Sequence, residues 1–424
     1  MILVEDHDYP FATVELYFGR GSAADPPGKE GLAWLTGQML MRGAGKRSHA
    51  EHVEAVEVLG GSLDVNVGRD WTLVDGDVLS RNLTEYMTLL GTAVSHPTLA
   101  PEELDKLKRR TLADIEERRD NDEDLGEYVF RQVLLAPSPG ARPVMGTATS
   151  IGNITLEDVR AAYRATFCTS HLTVGWAGDV TESQAQGLLA RSLEIPVGGP
   201  PQSPTAAGGK REGIRVILVD KPDRQQSQIA IGTPGPHAAS ADFLALDLGN
   251  TVFGGTFKSR LTHEIREKRG WSYSASSHLE GSEVDGSFAF RYSPTLENTV
   301  AALEVGLSLY GDWVAGGSEE EEVAFAREYL ANNFPFRIQT PRRQLSEALR
   351  MKLFHLPDDY LDRWVERLLD LDTAAVNGAV NRHLGSAGLD VVVVCSADGL
   401  VDGIQGLPGV REVIVHPWDQ EWSF

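Results

Sequence analysis

The sequence predicts an α+β protein that consists of two homologous α/β sandwich halves. Segments in which apolar and polar residues alternate, as in strands, are interspersed with segments of helical spacing. The order of these segments repeats at an offset of about 215 residues, which indicates an internal duplication. Residues 195–213 lie between the two copies and are predicted to be a linker, because they are rich in proline and glycine. We therefore expect one half over residues 1–194 and the other over residues 214–424.

Each element of the first half has a local signal in the sequence. Two short strands are expected on either side of Asp6–Pro10. Ser48 is followed three residues later by Glu51, which predicts a capping box at a helix start, and Thr155 is predicted to cap a later helix. The remaining predictions are helices over 32–42, 50–59, 83–95, 101–119, 125–135 and 155–167, two strands within 63–78, and a strand over 172–177.

The second half repeats this order of elements. Its first strand, Val216–Asp220, corresponds to Met1–Glu5, and a helix predicted over Thr256–Lys268 corresponds to the one that follows Ser48. Gly270 is predicted to end that helix in the left-handed conformation. The other predicted elements are strands over 229–231 and 389–394, helices over 243–253, 296–310 and 373–383, and an acidic helix start at 319–322.

The composition is that of an ordinary globular protein. Hydrophobic residues make up 42% of the 424 residues and charged residues 24%, and the formal net charge of −22 argues against a nucleic-acid partner. No apolar run approaches the roughly 20 residues of a membrane-spanning helix, so no membrane partner is expected. The two cysteines, Cys168 and Cys395, are expected to be small buried side chains, because the sequence has no CxxC motif.

The first residues bear on the compartment of the protein. Met1–Val4 already has the pattern of a strand, and no signal peptide is visible. This favours a cytoplasmic location, and a periplasmic location stays open if a leader was removed. The compartment is therefore not assigned.

The stretch Leu261–Ser276 carries the strongest signal for chemistry. Its first part has helical spacing, and Trp271–Ser276 alternates as a strand does. Arg266 then leaves the end of a helix and Tyr273 the start of a strand, so both can point into one cleft. A guanidinium that holds carbonyl groups and a phenol that donates a hydrogen bond suit peptide-bond hydrolysis beside a metal. The alternative is a helix-capping arginine and a half-buried strand tyrosine.

This stretch resembles the C-terminal half of the pitrilysin-type zinc peptidases, the M16 family. The family pattern is Leu-Arg-Glu-Lys, two or three residues, then Tyr, and here Ile265–Lys268 reads Ile-Arg-Glu-Lys before Tyr273. Through the repeat, the resemblance covers nearly the whole chain. It implies a fold like that of LuxS and the mitochondrial processing peptidase, with two halves that close like a clam shell around a peptide chamber. It also implies that Arg266 and Tyr273 bind the substrate backbone and the carbonyl under attack.

The zinc motif of that family is degenerate in this chain. The family has HxxEH in the phrase Gly-Leu-Ala-His-x-x-Glu-His-Met-Leu, and Gly31–Leu40 is the matching segment. Trp34 and Gln38 occupy the histidine positions, and Gly37 occupies the position of the glutamate that activates water. Asp114 matches the third ligand, which is a glutamate in the family. Because Trp34 and Gln38 cannot hold zinc, we expect no metal in this chain.

Two other histidine-containing segments have partial metal-site spacing. His49 and His52 lie near a helix start, and we interpret them as part of a solvated polar face. The segment His263–Glu267 resembles HExxH but ends in glutamate, and Arg266 within it would disfavour a bound cation. Neither segment is predicted to bind a metal.

The resemblance implies half of an active site. In some small members of the family, one chain carries HxxEH and a second chain of similar length carries the Arg/Tyr pair. We therefore expect a zinc-less, substrate-binding subunit of a peptide-hydrolysing metallopeptidase, inactive alone and paired with an HxxEH-bearing chain that holds the zinc. Two alternatives stay open. One is a structural protein similar to the core subunits of the respiratory cytochrome complex, and the other is a homodimer that binds peptides without cleaving them.

Overall fold

The computed structural model describes residues 1–200, 212–283, 286–385 and 388–422. Residues 201–211 of the predicted linker 195–213 lie outside this described part. The elements up to residue 200 are β1 Ile2–Glu5, β2 Phe11–Phe18, α1 Leu32–Met39, α2 His49–Val58, β3 Asp64–Val67, β4 Thr72–Leu79, α3 Leu83–Ser95, α4 Pro101–Arg118, α5 Asp122–Leu135, α6 Ala148–Asn153, α7 Leu156–Thr166, β5 Leu172–Gly178 and α8 Glu182–Ser192.

The elements after residue 212 follow the same plan. They are β6 Ile214–Asp220, β7 Gln228–Gly235, α9 Phe243–Phe253, α10 Arg260–Thr262, β8 Ala275–Gly281, β9 Gly286–Tyr292, α11 Thr299–Gly316, α12 Glu320–Arg337, α13 Pro341–Leu353, α14 Trp364–Leu369, α15 Thr373–Leu384, β10 Leu389–Cys395, α16 Val401–Gln405 and β11 Val410–Pro417. In the described part of the chain, no helix is both long enough and apolar enough to cross a bilayer.

The two sheets confirm the predicted duplication of an α+β unit. The first has the strand order β1-β5-β2-β4-β3, and the second has the order β11-β6-β10-β7-β9-β8. If β6 to β10 are matched in chain order to β1 to β5, the two orders are identical, with β11 added at one edge. The strands β3 and β8 are therefore equivalent, and each forms the edge of its sheet.

Local signals gave most helix boundaries correctly. The side chain of Ser48 accepts a hydrogen bond from the backbone of Glu51 while the Glu51 side chain accepts from the backbone of Ser48, as the capping box predicts. Thr155 caps α7 in the same way. Gly270 has a φ of 65°, the left-handed conformation expected at the end of its helix.

The chain folds into two compact units that do not follow a single cut in the sequence. Unit 1 consists of Met1–Glu116, Arg142–Pro204 and Pro335–Pro357, and unit 2 consists of Glu117–Ala141, Thr205–Phe334 and Asp358–Phe424. Each unit thus contains a helix from the other half of the sequence: α13 belongs to unit 1 and α5 to unit 2. The halves 1–194 and 214–424 stay a prediction about the duplication.

The exchanged helices cover one face of each sheet with apolar side chains. In unit 1, Leu345 and Leu349 of α13 are buried against Ala177 of β5. A Cβ atom at Gly175 would lie 2.7 Å from the Cδ1 of Leu345, so glycine there allows the close approach of the helix. In unit 2, α5 packs its apolar side chains, including Val133, against β6 and β10. Both sheets are therefore buried on two faces, which explains their apolar strands.

Candidate functional site

Arg266 is positioned by a π-helical segment rather than by a regular helix. The predicted helix over Thr256–Lys268 begins only at Arg260, because the side chain of Ser259 caps it, and residues 263–268 are π-helical. Ile265 is completely buried in the core of unit 2, which fixes the inner side of the segment. A π-helical turn changes the direction of the side chains that follow it and is frequent at functional sites.

Tyr273 lies before strand β8 and not at its start. The prediction that the strand begins near Trp271 was wrong, since β8 begins at Ala275. The reason is Ser272, which is buried and whose hydroxyl accepts a hydrogen bond from the backbone N–H of Ser293 at 2.9 Å. Tyr273 consequently points away from the core and is 89% exposed. The alternative of a half-buried strand tyrosine does not describe this side chain.

The structure brings Arg266 and Tyr273 together. The guanidinium carbon of Arg266 lies 5.2 Å from the centroid of the Tyr273 ring and 5.1 Å from that of the Phe257 ring. Both distances are within the range of a cation–π interaction. The convergence of the two side chains in one cleft, which the sequence predicted, is therefore present, and their roles in chemistry stay predictions.

The two side chains line a cleft of about 430 Å³ in unit 2, which we call the aromatic cleft. Lys258 also lines it, with its ammonium nitrogen 5.1 Å from the centroid of the Phe325 ring. Neither Lys258 nor Arg266 forms an ion pair within the described part of the chain. The lining residues are Gly254, Gly255, Thr256, Phe257, Lys258, Thr262, Arg266, Tyr273, Ser274, Ala275, Ser276, Phe325 and Tyr329.

Four members of the aromatic cleft were not predicted from the sequence. Phe257 and Lys258 lie in the loop before α10, and Phe325 and Tyr329 lie on α12. The two rings of α12 stack with their centroids 6.4 Å apart. Their spacing of four residues on one helix was a visible signal, but only the fold brings them to the loop.

Unit 1 has packed side chains at the positions of the zinc motif. Trp34 packs against the apolar cluster shared by α1, α4 and α7, and its ring N–H is buried without a hydrogen-bond partner in the described structure. A Cβ atom at Gly37 would lie 2.9 Å from Cγ2 of Val67 on β3. The side-chain amide of Gln38 donates a hydrogen bond to the carbonyl of Val65, also on β3, at 2.7 Å. Gly37 therefore allows the close approach of α1 to the edge strand, and Gln38 holds α1 there.

The fourth position of the degenerate motif, Asp114, lies on α4. Its carboxylate faces Arg110 one turn earlier at 4.0 Å. Among the residues that the structure describes, no group of three or more histidine, cysteine, aspartate or glutamate side chains is arranged to hold a metal ion. The donor set at Trp34, Gly37, Gln38 and Asp114 does not fit zinc, because the indole, the glycine and the amide provide no imidazole, thiolate or carboxylate, and the one carboxylate of Asp114 does not make a three-ligand site.

The histidine-containing segments have structural contacts. The Nδ1 atom of His263 lies 3.0 Å from a carboxylate oxygen of Glu267. The Nδ1 atom of His49 lies 2.6 Å from the carbonyl oxygen of Met41. The interpretation of a solvated face was wrong for His52, which is completely buried, and burial lowers the pKa of its ring.

Unit 1 has a cleft of its own beside the degenerate motif. Its volume is about 730 Å³, and we call it the unit 1 cleft. Its cations already have carboxylate partners. Arg342 of the exchanged helix α13 lies 2.7 Å from Asp75 and also contacts Asp77. Arg342 lies 3.9 Å from Glu15, and burial raises the pKa of Glu15 to about 7. This cluster was not predicted from the sequence, because Arg342 comes from the other half of the chain.

Comparisons with known proteins agree with the predicted family and fold. The family model described as "Insulinase (Peptidase family M16)" matches residues 1–147, and the one described as "Peptidase M16 inactive domain" matches residues 153–330. An uncharacterized zinc protease of Mycobacterium tuberculosis is 24% identical over 376 residues, which is 88% of this chain and 85% of that protein. The non-peptidase homolog YmxG of Helicobacter pylori is 23% identical over 390 residues, which is 90% and 88% of the two chains.

A solved structure extends the agreement to three dimensions. The crystal structure of a peptidase M16 inactive domain from Pseudomonas fluorescens aligns with a TM-score of 0.86 and 23% identity, and it covers 92% of this chain and 94% of that chain. The match shows that the two share a fold. Together, the two family models match well over half of the sequence in the order expected for the duplication. The chain belongs to the M16 peptidase family, and its own zinc motif is lost.

Proposed function

We propose that this chain is the zinc-less, substrate-binding subunit of a two-chain M16 metallopeptidase that hydrolyses peptides. The observation that carries the proposal is the pairing of Arg266 with Tyr273 on the wall of an exposed cleft. The positions of the zinc motif have become packing residues, whereas this pair remains accessible. Keeping a large aromatic side chain 89% exposed at Tyr273 contributes nothing to a core, which favours a ligand-binding role.

In this proposal, the two side chains act on the backbone of an extended peptide. Arg266 holds a backbone carbonyl through charge-assisted hydrogen bonds. The hydroxyl of Tyr273, which has no hydrogen-bond partner in the described structure, donates to the carbonyl oxygen on which negative charge develops. An HxxEH-bearing partner chain supplies the zinc and the carboxylate that activates water, so this chain is inactive alone.

Reconstitution tests the proposal. The purified chain is mixed with an HxxEH-bearing M16 protein from the same organism, and hydrolysis of a quenched fluorescent peptide library is measured for each component and for the mixture. We expect activity only in the mixture. If the two chains form a complex but neither the mixture nor its components hydrolyse the peptides, the proposal is contradicted.

The variant Tyr273→Phe assigns the role of the hydroxyl. Loss of one donor to a developing oxyanion lowers turnover by roughly a hundred- to a thousandfold, so we expect that loss in the reconstituted complex with assembly unchanged. Tyr9→Phe is the matched control, because Tyr9 is also exposed and lies in unit 1. A turnover equal to wild type in the Tyr273→Phe complex would remove the assigned role.

A second candidate is a non-catalytic protein that binds peptides or serves as a structural subunit. It is favoured by the loss of the zinc motif and by the name of the Helicobacter pylori relative, a non-peptidase homolog. Size-exclusion chromatography with and without the HxxEH-bearing protein separates the two candidates. A stable homodimer that binds peptides, and that does not form an active mixed complex, would favour the second.

A further inference from the structure

We propose that the aromatic cleft selects peptides that carry an acidic side chain beside the bound backbone, and that Lys258 is the residue that determines this specificity. The inference rests on the proposed function, since it takes the peptide to be held by Arg266 and Tyr273. It adds the chemical class of the substrate. It also assigns a role to a residue outside the Arg/Tyr pair.

The first argument is the charge of the cleft. Lys258 and Arg266 both line it, and none of the described residues that line it carries a carboxylate. Nearby cations of unit 2 are neutralised: Arg260 lies 2.5 Å from Glu322, and Lys268 lies 3.1 Å from Glu264. In a chain with a formal net charge of −22, two cations that have no carboxylate partner among the described residues form a local site for an anion in one cleft.

The second argument is the way in which the two cations are held. Lys258 lies against the ring of Phe325, and Arg266 lies between the rings of Phe257 and Tyr273. An aromatic ring attracts a cation through its quadrupole but leaves its hydrogen-bond donors free. Within the described residues, both side chains are thus positioned without using their donors. A carboxylate entering the cleft finds an ammonium group that is already oriented by Phe325.

The third argument identifies the occupant as part of a peptide. Phe257 is 75% exposed and Tyr273 is 89% exposed, so the cleft has apolar walls that face solvent. A volume of about 430 Å³ accommodates a few side chains and not a folded domain. Because Arg266 and Tyr273 are taken to hold a chain that continues on both sides, the anion is an internal aspartate or glutamate side chain and not a carboxyl terminus.

The overall negative charge does not oppose this selection at short range. At physiological ionic strength, the field of distant exposed charges is screened within about 8 Å. The preference for an acidic residue is set by the groups that touch it, which are Lys258 and the apolar rings. The net charge instead slows the approach of acidic peptides, so we expect the preference to be clearest at moderate salt.

The test is a binding experiment on the purified full chain. Short acetylated and amidated peptides with one aromatic residue are labelled with a fluorophore, and their affinities are measured by anisotropy. The peptides form pairs that differ by Glu against Gln at one position, and the position is moved along the peptide. We expect the glutamate peptide to bind about tenfold tighter at a favoured position, as for one charge-assisted hydrogen bond.

Two variants and a control assign the effect. Lys258→Gln is expected to abolish the difference between glutamate and glutamine peptides, and Lys258→Arg is expected to keep it. Lys46→Gln is the control, because Lys46 is an exposed lysine of unit 1. Thermal melting of each variant checks that it is folded. A preference that survives in Lys258→Gln would overturn the assignment of this residue.

The remaining outcomes separate this inference from the proposed function. If glutamate and glutamine peptides bind equally well, and the reconstituted complex hydrolyses peptides, the acidic preference is wrong and the proposed function stands. If peptides with a free carboxyl terminus bind tighter wherever the acidic residue lies, the cleft takes a chain end and the inference is overturned. If no peptide binds and no mixture is active, both fail.

Discussion

The unit 1 cleft and the aromatic cleft lie on related α+β units but differ in how their charges are satisfied. In the unit 1 cleft, Arg342 is paired with Asp75, and Gln38 donates a hydrogen bond to the edge strand. In the aromatic cleft, Lys258 and Arg266 rest on aromatic rings and have no carboxylate partner in the described structure. A duplicated fold can therefore lose a metal motif by packing its positions in one copy while cations line a cleft of the other copy.

A metal site can be absent because its functional groups are missing, or because its space is also filled by other contacts. A site that lacked only its functional groups would be restored by substitutions at the four positions of the motif. At position 34, however, the indole packs against the cluster of α1, α4 and α7, and at positions 37 and 38 the space and the side-chain hydrogen bond are used between α1 and β3. The loss of the metal is thus built into the packing of unit 1.

The largest expected effect comes from restoring the glutamate at position 37. Gly37→Glu places a Cβ atom 2.9 Å from Val67 and a carboxylate at a buried position, so we expect the free energy of unfolding to fall by about 3–5 kcal/mol. Urea denaturation measures this. Gly152→Glu is the matched control, because an added Cβ at this exposed helical glycine meets no atom within 4 Å. Equal stability of the two variants would show that position 37 is open.

The second prediction concerns the carboxylates around Arg342. Burial raises the pKa of Glu15 from 4.5 to about 7, so the folded state binds more protons than the unfolded state across this window. The contribution of Glu15 to stability is therefore largest below about pH 4.5 and falls, by on the order of 3 kcal/mol, as the pH rises to about 7. Glu15→Gln is expected to remove this fall, as measured by urea denaturation across the same pH range.

The control for that experiment is Glu54→Gln, since Glu54 is exposed on α2. We expect the pH profile of the control to run parallel to that of the wild type. A parallel profile for Glu15→Gln as well would mean that the pKa of Glu15 is not raised in the folded state. The charges of the unit 1 cleft would then be less perturbed by burial than we infer, and the contrast with the aromatic cleft would be smaller.

The features that could be predicted from the sequence are those that depend on residues close together in the chain. Ser48 with Glu51 predicted a helix start, and the repeat predicted that the two sheets have equivalent strands, because caps and alternation are local signals. The start of β8 at Ala275 was missed because it depends on a hydrogen bond between Ser272 and the distant Ser293. The contact of Lys258 with Phe325 was missed for the same reason, since it joins a loop to α12.

The smallest expected effect is the sharpest test of the aromatic cleft as a functional site. Tyr273 is exposed and its hydroxyl has no partner in the described structure, so Tyr273→Phe is expected to leave the free energy of unfolding within about 0.5 kcal/mol of wild type. Tyr292→Phe makes the same chemical change in the core, where the hydroxyl donates to the carbonyl of Ala302 at 2.9 Å. It is expected to cost about 1–2 kcal/mol.

Urea denaturation of both variants, in parallel with the turnover of the reconstituted complex, completes this comparison. If Tyr273→Phe loses as much stability as Tyr292→Phe, the Tyr273 hydroxyl has a structural partner, and a fall in turnover could no longer be read as loss of an oxyanion donor. If stability is unchanged while turnover falls, the hydroxyl acts on the substrate. The aromatic cleft would then be a site whose residues are retained at no benefit to the fold, in contrast to the packed residues of unit 1.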